Sequence, residues 1–221
     1  MRFPRILMAG LVLTLAGSST ALPQRRPMKV HFGVLGGAAF DKPGGADATD
    51  VNQTYAGFGV GGFVGLQLTP VFAIQPEALY VQKGAKGTVS DPGGTITGKI
   101  KVAYFEIPVL AKLRMPVKGA GIVSPHVYAG PALAYKAGCH VNIAQGSFSA
   151  SESCSAPDVE GRIKSTDFSV VLGGGVDIGR AIVDVRYGLG LTKISVDSSG
   201  TARDVKNRTL YLLVGWTFRT P

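Results

Sequence analysis

Seven charged side chains stand among otherwise apolar segments and are the residues best suited to chemistry: Glu77, Glu106, Lys112, Arg114, Asp177, Asp184 and Arg186. Such a mixed set could relay protons, bind a charged ligand or form ion pairs. Glu77 and Glu106 alone would suit acid–base hydrolysis. Because lysine and arginine occur on the same predicted face, each carboxylate has a partner there. We therefore expect an internal ion-pair network and no catalytic residue.

Motifs of other enzyme classes are lacking in the sequence. No serine lies in a G-x-S-x-G elbow, and His31, His126 and His140 fall on different segments, so a Ser-His-Asp hydrolase has no support. The glycine runs at 33–37 and 57–62 belong to alternating strand patterns and not to phosphate-binding loops. A membrane-embedded acyltransferase or protease is the enzyme alternative that stays open. We expect no cofactor.

Cys139 and Cys154 are the two cysteines of the chain, and both lie in a segment rich in Ser, Gly and Ala. In an exported protein we expect them to form a disulfide. Closing a loop of about 15 residues contributes roughly 3 kcal/mol in the chain-entropy model. The alternative is a metal site, but no C-x-x-C or paired His/Cys spacing supports it.

The elements that position these residues are predicted to be strands. A two-residue hydrophobic rhythm recurs eight times between clusters of Gly, Pro, Asp and Ser. In the seventh segment Val183, Val185 and Tyr187 share one face while Asp184 and Arg186 share the other, and a helix would scatter both sets. The eight segments are 28–40, 55–68, 71–83, 99–115, 124–137, 166–178, 181–195 and 207–219.

The connections between these segments alternate in length. Thr69-Pro70 and Gly179-Arg180 are tight, whereas 84–98 and 138–165 are long. Short turns on one side with both termini, and long loops on the other, are typical of an eight-stranded antiparallel up-and-down transmembrane β-barrel. An all-β barrel of eight strands is only wide enough for its own side chains, so we expect no wide pore.

Alternation alone does not decide whether the apolar face contacts lipid or lines a soluble barrel of the lipocalin type. Glycines crowd the polar face, and aromatic residues such as Phe72, Tyr80, Trp216 and Phe218 lie near the ends of the apolar face. A narrow lumen needs small residues and paired charges, and aromatic residues form girdles at membrane interfaces. We therefore favour lipid contact. An exported lipocalin-like barrel that carries a small apolar ligand is the alternative.

Residues 1–21 are predicted to be a signal peptide, because Arg2 and Arg5 precede an apolar core and small residues that end at Ala21. The mature barrel domain is then 22–221, exported to the outer membrane. No later stretch is long enough for a transmembrane helix. The net charge of +9 is scattered, without interleaved aromatic residues, so we expect no nucleic-acid partner.

Several short motifs occur in order on the predicted strands: QPEALYVQKG at 75–84, YFEIPVL at 104–110, YAGP at 128–131, GGGVD at 173–177, VRYGLGL at 185–191 and VGWTF at 214–218. Together they resemble the PorT-like outer-membrane β-barrel family over roughly residues 28–218. The resemblance implies an outer-membrane barrel of a Gram-negative-type bacterium. It implies no catalytic residue, because members share no one reaction.

The carboxyl end departs from such barrels, which commonly finish on an aromatic residue that assists assembly. Here Phe218 is followed by Arg219, Thr220 and Pro221. We still expect outer-membrane lipid and the barrel-insertion machinery to be partners. Binding usually resides in long loops on a rigid scaffold. The segment 138–165 is therefore predicted to bind a surface ligand or protein in a structural or adhesion-type role.

Overall fold

The computed structural model describes residues 28–48, 53–91, 94–115, 117, 119, 122–154, 163–196 and 201–219. The signal peptide predicted at 1–21 lies outside these residues. Within the described residues the secondary structure consists of strands and turns. No helix in this part of the chain is long and apolar enough to cross a membrane.

Eight long strands form a closed wall in the described chain. They are β1 (Lys29–Asp41), β2 (Tyr55–Gln67), β3 (Phe72–Asp91), β4 (Gly94–Arg114), β5 (Val123–Gln145), β7 (Thr166–Ile178), β8 (Ala181–Gly190) and β11 (Arg208–Arg219). Three short strands, β6 (Phe148–Ser153), β9 (Ser195–Val196) and β10 (Ala202–Arg203), lie in the connections.

The wall closes by antiparallel pairing throughout. Each of its strands pairs with the next along the chain, and β11 pairs with β1 from Asp41↔Thr209 to His31↔Arg219. The order confirms the predicted eight-stranded up-and-down barrel. Closure has a physical reason, since an unpaired backbone N–H or C=O in hydrocarbon costs several kcal/mol and a closed ring leaves no edge.

The short and long connections fall on opposite ends of the barrel, as predicted. At the short end Gly179 follows β7 in the left-handed region, with φ of 63°, which favours glycine at this two-residue turn. At the same end the Thr69 hydroxyl accepts a hydrogen bond from the Phe72 amide at 3.0 Å. Outer-membrane barrels have this layout, with short turns facing the periplasm and long connections outside the cell. We therefore call the end with the long connections the external end.

Two predicted loops are largely strand. The segment 84–98 continues β3 and β4, which stay paired as far as Asp91 and Gly94. Its Thr, Val and Ile residues favour strands, but polar residues on one face and glycines on the other weakened the hydrophobic rhythm. The seventh predicted strand was drawn too long, because β8 ends at Gly190 instead of 195.

The prediction of a loop over 138–165 is wrong for its first half. There β5 continues to Gln145, turns at Gly146 with φ of 58°, and returns as β6. A bulge, where the pairing of β4 with β5 shifts between Ala103 and Tyr104, precedes this extension. Bulges increase the local twist of a strand, and the shift interrupts the alternation that sequence reading depends on.

The outward face of the wall is apolar and ends in aromatic residues. On the external side Phe58, Tyr80 and Phe105 contact one another across β2, β3 and β4, with ring centroids 6.0 and 5.7 Å apart, and Tyr135 pairs with Phe105. We call these four the outer girdle. At the other end the inner girdle comprises Phe32, Phe72, Trp216 and Phe218. The eight residue steps from Phe72 to Tyr80 span about 26 Å along the strand. At a tilt of about 40° this is about 20 Å of height, close to the apolar band of about 25 Å in such barrels.

The lumen is filled by inward side chains between glycines. Three buried apolar clusters centre on Phe63, Tyr128 and Tyr211. A Cβ added at Gly173 would lie 2.5 Å from the Tyr128 hydroxyl oxygen, so glycine leaves room for that ring. Leu35 packs against Phe63 in the same way that side chains fill a protein core. This interior fits no wide channel.

Candidate functional site

A buried ion pair occupies the middle of the lumen. Arg186 donates from Nη1 to Glu77 Oε2 at 2.6 Å and from Nη2 to Glu77 Oε1 at 3.4 Å. Gln75 adds a hydrogen bond of 2.8 Å to Glu77 Oε1. Asp184 Oδ2 lies 3.6 Å from Arg186 Nη2 and accepts the Tyr128 hydroxyl through its other oxygen. Fork-on-carboxylate geometry of this kind fixes both side chains.

Toward the short turns, three basic side chains converge on Asp177. Lys112 Nζ lies 3.6 Å and His126 Nδ1 lies 3.4 Å from Asp177 Oδ1, while Arg114 Nε lies 3.4 Å from Oδ2. His126 Nε2 also lies 3.7 Å from Asp184 Oδ2. His126 therefore stands between the two aspartates and joins this cluster to the central pair.

A second group of polar side chains lies nearer the external end. Lys83 Nζ contacts Glu106 Oε2 at 2.6 Å, and the Tyr211 hydroxyl donates to the same oxygen at 3.3 Å. Asn207 donates to Asp167 at 2.7 Å. Lys83 and Glu106 are 3 and 2% exposed. At such burial a carboxylate needs its partner, because an uncompensated charge is costly.

The structure places all seven predicted charged residues in the lumen. Six of them join one cluster through His126, whereas Glu106 stands apart with Lys83. Glu77 and Glu106, which suggested an acid–base pair, thus bind different cations. Sequence reasoning missed Lys83 and His126. Lys83 could have been found, because it shares the inward face of β3 with Glu77.

The outer parts of β3, β4 and β5, together with β6, form a four-stranded sheet beyond the outer girdle. We call this sheet, 84–91, 94–103, 138–145 and 148–153, the external arm. Its pairing is continuous, with Val89↔Ile96, Ile96↔Gln145 and Gln145↔Phe148 in one row. The arm is therefore an extension of the barrel wall and not an irregular loop.

Cys139 and Cys154 form the predicted disulfide at the base of the arm. Their Cα atoms are 5.3 Å apart, and the Cys154 amide donates to the Cys139 carbonyl at 3.1 Å. The bond joins β5 to the end of β6. It packs with Val102 and Tyr104 on the side that faces the barrel mouth. Below the arm lies a cavity of about 210 Å³, lined among others by Lys83, Ile100, Val102, Ile163, Ile194 and Val205.

The other two long connections are joined to each other beside the mouth. The Ala46 amide donates to Asp204 at 3.2 Å, the Asp204 amide donates to Asp47 at 2.6 Å, and Arg203 donates to the Asp47 carbonyl at 3.1 Å. The Ala46 hydrogen bond and Lys206, 3.3 Å away, hold the pKa of Asp204 below its usual range. In the described part of the chain, no group of three His, Cys, Asp or Glu residues is arranged to hold a metal ion.

A closed ring of eight strands with an apolar exterior, aromatic girdles and an ion-paired lumen defines a small transmembrane β-barrel. The chain belongs to the outer membrane protein beta-barrel domain family, whose profile matches residues 23–196. The protein is therefore an outer-membrane barrel. Membership of the PorT-like group stays a prediction.

Solved structures similar to this chain include Ail, the attachment invasion locus protein of Yersinia pestis, in complex with the heparin analogue sucrose octasulfate. Its identity is 17% and its TM-score 0.45, over 86% of this chain and 100% of that one. Neisserial surface protein A shows 15% identity and a TM-score of 0.44 over 86% and 97%. OprG from Pseudomonas aeruginosa shows 11% and 0.42 over 87% and 98%. No curated protein sequence matches this chain.

Proposed function

We propose that this barrel is a surface-binding protein whose external arm contacts a protein partner outside the cell. The observation that carries the proposal is an apolar patch at the tip of the arm. Val89, Ile96, Ile143 and Phe148 share one face of the sheet and are 63, 37, 49 and 69% exposed. We call them the tip patch.

The tip patch differs from the apolar residues that face lipid. It lies beyond the outer girdle, where the surrounding medium is water. Exposed apolar clusters in water are costly and commonly mark protein–protein contact sites. The barrel holds the arm in place through continuous pairing, and the disulfide joins two of its strands at the base. A rigid sheet loses little conformational entropy on binding, which favours affinity.

The rival functions fit these residues less well. A lipocalin-like carrier needs an open apolar interior. Here the lumen is filled by side chains, with Glu77, Arg186 and Lys112 buried in it, and a large apolar surface faces outward. For a barrel enzyme, a free acid–base pair would be needed. Glu77 and Glu106 each bind a cation at 2.6 Å. We assign the lumen charges to holding the wall together.

Attachment of whole cells tests the proposal. Gram-negative host cells that display the protein are applied to wells coated with laminin, fibronectin or collagen, and attached cells are counted. We expect attachment to at least one coating, and its loss when Ile143→Thr and Phe148→Ser are combined. The matched control, Ala144→Ser with Ser149→Ala, changes the opposite face and should attach like the parent.

Surface display of each variant is measured by antibody, and folding by the heat-modifiable band. Equal attachment of the parent and the patch variant, at equal display, would refute a role for the tip patch. If the parent attaches to none of the three coatings, this would count against a partner among such extracellular-matrix proteins.

A further inference from the structure

The face of the external arm opposite the tip patch is basic. Pairing of the strands aligns Lys86 with Lys99, and Lys101 with His140. The amide of Asn142 and the hydroxyl side chains of β6 beside it continue this face. We call Lys86, Lys99, Lys101 and His140 the basic face.

Nothing in the described chain neutralises the lysines of the basic face. The strand register brings no Asp or Glu to this side of the arm. The ion pairs found among the described residues include none of Lys86, Lys99 and Lys101. Lys99 Nζ lies 5.2 Å from the centre of the Tyr55 ring, a cation–π contact that leaves its charge in place. Among the described residues, the face therefore carries a positive charge that no acidic side chain pairs with.

The basic face begins at Lys101, just above the headgroup layer of the outer leaflet, and Lys99 and Lys86 lie two residues farther out. Lys101 precedes Phe105 of the outer girdle by four residues and lies on the same side of β4. At roughly 3.3 Å per residue and a tilt of about 40°, this raises it about 10 Å above the aromatic ring. The headgroup region is roughly 5–8 Å thick on each side of the hydrocarbon. A lysine side chain is long enough to reach back into it.

We propose that the basic face binds the phosphate groups of the glycolipid in the outer leaflet. Charge complementarity favours an anion. Continuity with the lipid-facing wall favours a membrane lipid over a soluble polymer, because a lipid seated against Phe105 presents its phosphates within reach of the Lys101 side chain. Lysine supplies the charge as a mobile point donor, and Asn142 adds a neutral donor on the same face. This site is independent of the tip patch and of the proposed partner binding.

The experiment measures binding of purified deep-rough lipopolysaccharide, with its two lipid A phosphates, to the detergent-refolded protein by isothermal titration. The test variant combines Lys86→Gln, Lys99→Gln and Lys101→Gln. Each lysine near an anionic surface is worth roughly a fivefold change in affinity. Allowing for salt screening, we expect the triple variant to bind at least tenfold more weakly.

A matched control removes the same charge elsewhere, through Lys29→Gln, Lys42→Gln and Lys193→Gln, and should bind like the parent. Dephosphorylated lipid A should bind the parent as weakly as the triple variant binds the intact lipid. Equal binding of the parent and the triple variant would overturn the proposal, as would equal binding of dephosphorylated lipid. If the triple variant loses heparin binding and keeps lipid binding, the face serves a soluble polyanion instead. Heat-modifiable migration checks that each variant is folded.

Discussion

Replacing Glu77 with leucine removes the bidentate partner of Arg186 inside the lumen. The Arg186 side chain is 1% exposed, so its charge stays buried without the carboxylate that lies 2.6 Å away. Loss of one partner from a buried pair costs about 3–5 kcal/mol. Asp184, 3.6 Å from the guanidinium, retains part of the compensation. We therefore expect the lower end, a loss of about 3 kcal/mol in the free energy of unfolding.

The double variant Glu77→Leu with Arg186→Met separates a structural pair from two independent sites. Replacing both partners of a buried pair by apolar residues is often neutral or stabilising. Gln75 then loses its acceptor, which costs about 1 kcal/mol. Asp184 loses its contact with Arg186 but keeps those with Tyr128 and His126. The double variant should unfold within about 1 kcal/mol of the parent, which makes the coupling between the two positions strongly favourable.

Urea unfolding in lipid vesicles measures these differences. Trp216 is the single tryptophan and faces outward in the inner girdle, so its fluorescence reports loss of the membrane environment. Lys42→Met, which removes an exposed charge at the rim, is the control and should be neutral. The variant Arg186→Met alone is measured as well. If the double variant loses as much stability as the two single variants together, the two side chains do not act as a pair. If Glu77→Leu is neutral, the lumen network contributes no stability.

Three further changes test the exterior, the disulfide and the lumen. Leu212→Arg on the lipid face should destabilise by about 2–4 kcal/mol near the bilayer midplane, while Asn142→Arg in the arm should be tolerated; both are followed by Trp216 fluorescence. Combining Cys139→Ser with Cys154→Ser should leave the heat-modifiable barrel intact and speed protease cleavage within the arm, because the link stabilises a loop by roughly 3 kcal/mol. Gly173→Ala should cost about 1–3 kcal/mol, since its Cβ would overlap Tyr128, and the urea midpoint measures this.

Each of these outcomes has a contrary result. Equal tolerance of arginine at Leu212 and Asn142 would contradict the lipid-facing assignment. Unchanged cleavage of the arm after loss of both cysteines would show that strand pairing alone holds it. A neutral Gly173→Ala would mean that the Tyr128 ring moves aside without cost. Gly98→Ala is the control, because no atom lies within 4 Å of its added Cβ, and it gives the change in urea midpoint for a glycine without such a contact.

The predicted lumen set shows where sequence reasoning succeeds and where it stops. Alternation correctly placed Glu77 and Asp184 on the inward face, since a side chain's face depends only on its parity along a strand. The partner of each charge depends on strand register, which parity does not give. Glu106 accordingly binds Lys83, which is not in the predicted set. His126 joins two aspartates from a strand on which no charge pattern pointed to it.

The sequence by itself determined the class of the molecule. Eight alternating segments with short turns between alternate pairs permit one closed sheet, because in a membrane only closure satisfies every backbone group. The tertiary structure decided what projects from that sheet. The segments 84–98 and 138–153 lack a strong apolar rhythm, so they looked like loops. Pairing across β3, β4, β5 and β6 makes them a single sheet. Only that pairing separates an apolar tip patch from a basic face, because cross-strand register decides which side chains share a side.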